Sequence, residues 1–389
     1  MDDMASREYW ERSWTIQEAS VNFSCYIFCG PSPPLPLASF IFGHMALGLF
    51  YYIYHLEYII LPYRLHLPTY GFYIGEDPID EQVLESLCLT KVTLDVDKIF
   101  ALKAMFPRAL STLLVDYSRP ARDVYIDAAR LMLEATQSVK FLRHACHGSR
   151  MDGFPTWVPA WNAGSYIPTK ISKFVPAMVS QHPIVSQDSD KHILKLKALR
   201  VDTATASISK LFQILHPLSV PWSRSMALDA AEETCDVFKN WVEASLDTNE
   251  TELKLNQLAS LVAGVLDLKA DEIRSWFPKI WEEGEYGTGL QSPEARKVSR
   301  DFPALMTGRS LFTTEDGRVG MSTLVICEGD EIVMLSGEEF PYLIRKCPSQ
   351  PGNYTLVCPY WTSGAVNGEA WPSRSGNGLE EDLEYIELV

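Results

Sequence analysis

Arg7-Glu-Tyr-Trp10-Glu-Arg12-Ser-Trp14-Thr-Ile-Gln17-Glu18 opens the chain after six residues. Trp10, Trp14 and Glu18 recur every fourth residue, so a helix places them on one stripe. Ser6 suits the N-cap of such a helix and Glu8 its first turn, and the pattern runs to Ala19. Two indoles then line the approach to a carboxylate. Two readings of that stripe stay open. In one, Trp10 and Trp14 are core and Glu18 is a helix-end carboxylate held by backbone or by a nearby arginine. In the other, Glu18 is a catalytic carboxylate on an aromatic wall. Such a group stabilises an oxocarbenium-like ribose as a glycosidic bond breaks, and the nicotinamide–ribose bond of NAD is one such bond.

Composition narrows the field. The chain has 389 residues, 47% of them hydrophobic, which suffices for a buried core and suggests two domains. Its formal net charge of −16 argues against nucleic acid, because an acidic surface gains nothing from counterion release. The eight cysteines fall at irregular spacings, with Cys25-x-x-x-Cys29 the closest pair and no second pair at metal-ligand spacing, and read as reduced, buried thiols. His144-x-Cys146-His147 offers ligand types, but adjacent helical residues do not face one metal, so no metal site is expected. Asp2 and Asp3 stand where a secretory signal carries basic residues, which points to a cytoplasmic protein. The run from Leu35 to Pro62 is nearly all apolar, interrupted by His44, His55 and Glu57. A buried core helix is the simpler reading; the alternative is a membrane anchor over residues 39–61.

Further along, Val21 to Phe28 alternates loosely like a strand closed by Gly30-Pro31. Asp97 is expected to cap a helix from Lys98 to Met105, stopped by Pro107. Ser118 is expected to cap another, with Pro120 in its first turn and Val124, Ala128 and Leu131 on its apolar face. Asp97 and Asp116 therefore read as cap or turn residues. The cluster Phe154-Pro-Thr-Trp157-Val-Pro-Ala-Trp161-Asn-Ala-Gly164 breaks periodicity and marks a domain edge, with both tryptophans as inter-domain anchors. His192-Ile-Leu-Lys-Leu-Lys-Ala-Leu199 alternates like a strand. Residues 222–300 read as helical. From 309 to 369 strands are separated by Glu315-Asp-Gly317, Glu328-Gly-Asp330 and Ser349-Gln-Pro-Gly352. The expected C-terminal module is a small β-barrel or sandwich with a helical insertion. No phosphate loop, Gly-x-Ser-x-Gly elbow or His-Glu-x-x-His is present, and Gly284-x-x-Gly287-x-Gly289 follows a helical stretch rather than a strand.

Several blocks, in order, resemble the fungal heterokaryon incompatibility (HET) domain family. They are Tyr9-Trp10-x-Arg12-x-Trp14-Thr-x-Gln17-Glu18 followed by Cys29-Gly30, then Asp95-x-Asp97-Lys-Ile-Phe-Ala-Leu102, then Asp116-Tyr117-Ser118. Phe154-Pro-Thr-Trp157-Val-Pro-x-Trp161 is next. Arg309-x-Leu-Phe-x-Thr-x-x-Gly317-x-Val-Gly320, Gly329-Asp330, Pro341-Tyr-Leu-Ile-Arg345 and Gly364-x-x-x-Gly368-Glu369 complete the series. The family's opening strand and Trp-x-Asp-x-x-Cys-Ile-Asn-Gln segment have no counterpart here. The resemblance thus implies a mixed α/β chain, with the C-terminal half of a TIR-like HET domain over residues 1–165 and a C-terminal module over 166–389. It marks Trp10, Arg12, Trp14, Gln17, Asp97, Asp116, Tyr117, Trp157 and Trp161 as motif residues. It also implies a role in non-self recognition and programmed cell death, through protein partners the sequence does not name. HET domains are similar to TIR domains, some of which cleave NAD through a Trp-x-x-x-Glu glutamate. Trp14-x-x-x-Glu18 has that spacing, so NAD enters by analogy alone, and the expected form is non-catalytic with no cofactor.

Overall fold

A computed structural model describes residues 12–15, 18, 24–40, 84, 90–145, 153–162, 182–186, 190–207, 251–266, 269–275, 310–323, 326–338, 340–362 and 382–389. The chain divides into two compact units. The first comprises Met1–Phe154, Val158–Ile167 and Leu218–Pro221; the second comprises Pro155–Trp157, Pro168–Pro217 and Trp222–Val389.

In the first unit, β1 (Tyr26–Ile27) pairs antiparallel with β2 (Leu35–Pro36). The expected strand over 21–28 thus shrinks to two residues among those described. Helix α1 (Asp97–Met105) buries Ile99, Phe100, Ala101 and Leu102 together. Four consecutive buried residues point in all directions around a helix, so α1 is a core element rather than an amphipathic one. Helix α2 (Ala121–Thr136) is amphipathic and buries Val124, Tyr125, Ile126, Ala128, Ala129, Met132 and Leu133. It ends at Gln137, whose left-handed backbone (φ 48°) lets its N–H reach the Leu133 carbonyl at 2.9 Å. Leu131, assigned to the apolar face by spacing, is only half-buried.

The capping expectations need correction. Val96 is the residue before α1, and no side chain caps that end; Asp97 is already helical. Pro120, not Ser118, stands at the start of α2. Proline supplies a preset φ there and has no N–H to leave unpaired, so a hydroxyl cap is not required.

The second unit is built around β3 (Leu194–Ser207), whose alternation is legible in its burial. Leu194, Leu196 and Ala198 are fully buried, while Lys195 and Lys197 face outward and contact Tyr385. The other strands are β4 (Ser310–Thr314), β5 (Val319–Ser322), β6 (Glu331–Leu335), β7 (Pro341–Lys346), β8 (Asn353–Thr362) and β9 (Glu384–Leu388). Their pairings run β3–β4–β5–β8–β7–β6 and return to β3, all antiparallel, which closes a barrel-like ring. Closure leaves no free edge around that ring. β9 pairs with the first part of β3 and runs parallel to the start of β8. Fourteen residues allow β3 to serve β9, β6 and β4 in succession. It turns between them through register shifts at Arg200/Asp202 and Ala204/Ala206. Helices α3 (Thr251–Leu266) and α4 (Ala270–Arg274) lie between β3 and β4 in sequence, and Arg274 joins them by bonds to Glu252 and Asn256 at 2.8 and 3.1 Å.

Gly320 is a packing requirement of the barrel. It lies directly across from Phe312, and a Cβ at Gly320 would stand 2.5 Å from the Phe312 ring. That ring is fully buried with its centroid 5.7 Å from Tyr360. Gly320→Ala is expected to cost about 1–3 kcal/mol through overpacking, read as a lower urea midpoint with an unchanged slope.

Residues 41–61 of the apolar run lie outside the described residues. Among the described residues, no helix is long and apolar enough to cross a membrane.

Candidate functional site

The N-terminal motif is fastened to α1 by a buried polar network. Ser13 and Thr15 sit in a helical turn and are buried, Trp14 is half-buried and Arg12 is exposed. Arg12 forms a parallel bridge with Lys91, and the Ser13 N–H donates to the Lys91 carbonyl at 3.2 Å. The Ser13 and Thr90 hydroxyls bond to each other. Lys98, only 1% exposed, donates its amine to both the Thr90 carbonyl and the Thr90 hydroxyl. Lysine is rarely buried unless its donors are satisfied, so Lys98 joins the two motifs structurally. Its signal in the sequence was a cation at the start of an apolar helix (Lys98-Ile-Phe-Ala-Leu102), which a reading centred on carboxylates passed over.

Glu18 is helical and exposed, and its backbone carbonyl faces the Cys25 thiol at 3.6 Å. Trp10 and Gln17 lie outside the described residues. The structure therefore describes two members of the tryptophan–glutamate stripe, a half-buried Trp14 and an exposed Glu18.

Asp97 and Tyr117 come together. The Tyr117 hydroxyl donates to Asp97 Oδ1 at 3.0 Å, while its ring meets Phe100 edge-on at 5.1 Å. Desolvation of the hydroxyl, then the Asp97 carboxylate, raise the phenol above its ordinary pKa. The ring itself stays 54% exposed. Asp116 closes a tight turn, accepting from the Ser118 N–H at 2.9 Å and its hydroxyl at 2.7 Å; these bonds hold its pKa below the usual carboxylate value. Both carboxylates thus brace the chain around Tyr117.

Trp157 and Trp161 are both fully buried, but they belong to different units. Trp161 packs edge-on against Tyr125 at 5.2 Å in the helical unit. Trp157 donates its indole N–H to the His192 carbonyl at 3.0 Å in the barrel unit. Its neighbour Thr156 donates its N–H to the Val389 carbonyl at 2.9 Å, and the Thr156 hydroxyl accepts from the Leu356 N–H at 2.8 Å.

The sequence marked Asp330 as a turn residue and Arg345 as part of a motif block, but not that the two pair. Asp330 is 1% exposed and receives Arg345 in a bidentate pair, Nε to Oδ1 at 2.7 Å and Nη2 to Oδ2 at 2.8 Å. The Cys327 N–H adds a bond at 2.8 Å, and the Asp330 carbonyl accepts from Ala204 at 2.8 Å. The hydrogen bonds to Asp330 outweigh desolvation and raise the Arg345 pKa further. Further along β3, Arg200 pairs with Glu331 and Glu384 and stacks on Tyr354, whose hydroxyl it reaches at 2.9 Å. The available signal was an arginine ending an apolar strand, Tyr342-Leu-Ile-Arg345, and an aspartate ending a Gly-containing turn.

Among the described residues, no group of three or more His, Cys, Asp or Glu could hold a metal ion. The described cysteines, Cys25, Cys29, Cys327, Cys347 and Cys358, carry free thiols.

A closed ring with a short flanking strand defines a barrel-bearing protein whose barrel carries the bidentate Asp330–Arg345 pair. Residues 298–374, which include β4 through β8, match the Het-6 beta-barrel domain. A 65-residue stretch is 32% identical to heterokaryon incompatibility protein 6, OR allele, of Neurospora crassa, covering 16% of this chain and 10% of that protein. The matched stretch thus spans about a tenth of that relative's length. No solved structure matches. The likeness to heterokaryon incompatibility proteins thus rests on residues 298–374 and on that 65-residue stretch.

Proposed function

We propose that this chain acts in fungal non-self recognition, contributing to heterokaryon incompatibility and the cell death that follows fusion of unlike hyphae. In this reading it works in the cytoplasm through protein contacts made by its barrel, without a cofactor. The observation that carries the proposal is the Het-6 barrel over residues 298–374, together with the similarity to an incompatibility protein. The face of β3 and β9 that carries Lys195, Lys197, Tyr385 and Glu387 supplies charged and aromatic groups suited to partner choice. The test is a deletion strain paired with a panel of unlike strains, with dye uptake marking dead fusion cells. Deletion is expected to rescue some pairings. The wild-type gene should restore death, and Lys197→Glu on the outer face should not. Unchanged death in every pairing of the deletion strain would refute the proposal.

The reading assigns Glu18 no catalysis. An exposed carboxylate works against the high dielectric of water, where it stabilises a developing cation weakly. Purified chain is expected to consume NAD no faster than its Glu18→Ala variant, as followed by chromatography of nicotinamide. Turnover lost only in the variant would make the chain an NAD glycohydrolase instead. The membrane-anchor alternative concerns residues 39–61, most of which lie outside the described residues, and no structural observation favours it.

A further inference from the structure

We draw no further inference here: the strongest candidate, the apolar surface patch of Leu114, Val115 and Tyr117 on the segment that joins α1 to α2, is exposed, and nothing in the structure shows what covers it.

Discussion

Trp157→Ala and Trp161→Ala are expected to destabilise different units, although only three residues separate them. Each indole is fully buried, and removing a buried tryptophan costs about 3–5 kcal/mol from lost transfer and cavity formation. Trp157→Ala should lower the barrel transition, because Trp157 belongs to that unit and bonds to the His192 carbonyl beside β3. Trp161→Ala should lower the helical-unit transition, because Trp161 packs on Tyr125 of α2. Calorimetry, or tryptophan emission against urea, separates the two. The phenylalanine variants sharpen the contrast. Trp157→Phe loses an indole hydrogen bond worth about 1 kcal/mol. Trp161→Phe removes a buried Nε1 that has no hydrogen-bond partner among the described residues, so it should cost less than Trp157→Phe. Both alanine variants acting on one shared transition would refute this division.

Asp330→Ala is the second large effect. The substitution leaves Arg345 without its bidentate partner and the Cys327 N–H without its acceptor, at a position 1% exposed. Breaking a buried pair by removing one member costs about 3–5 kcal/mol, whereas a surface pair is worth less than about 1 kcal/mol. Arg345 is 39% exposed, so water recovers part of its solvation. An expected loss of about 3 kcal/mol follows from that mixed setting and the orphaned amide. Chemical denaturation of the variant checks the figure. Asp330→Ala with Arg345→Leu should be more stable than Asp330→Ala alone, since the double change removes the uncompensated guanidinium. A single variant as stable as the parent would show that the pair contributes nothing net.

Much of the barrel was legible in sequence because turns that carry glycine separate its strands, although β4 to β7 are buried at almost every residue and carry little alternation. Gly317, Gly329 and Gly352 all occupy left-handed backbone at the three turns marked from composition. Strand β3 was legible from alternating Leu and Lys, but its fourteen-residue length was not, since its bends lie at register shifts that no side-chain pattern announces. In the helical unit, Asp97 has the residue type of a cap, yet the helix begins one residue earlier. A propensity identifies who is able to cap, and the chain path decides who does.

By itself, the sequence determined the start of β3, the positions of the barrel's turns and the resemblance to HET proteins, because these depend on local pattern and motif order. Only the tertiary structure decided that the strands close into a ring, that Trp157 and Trp161 serve separate units, and that Lys98 and Asp330 are buried and paired. Those outcomes depend on contacts between residues far apart in the chain. Thr156 meets Val389, and Asp330 draws in Arg345 and the Ala204 amide, and no local window of sequence encodes which distant group will arrive.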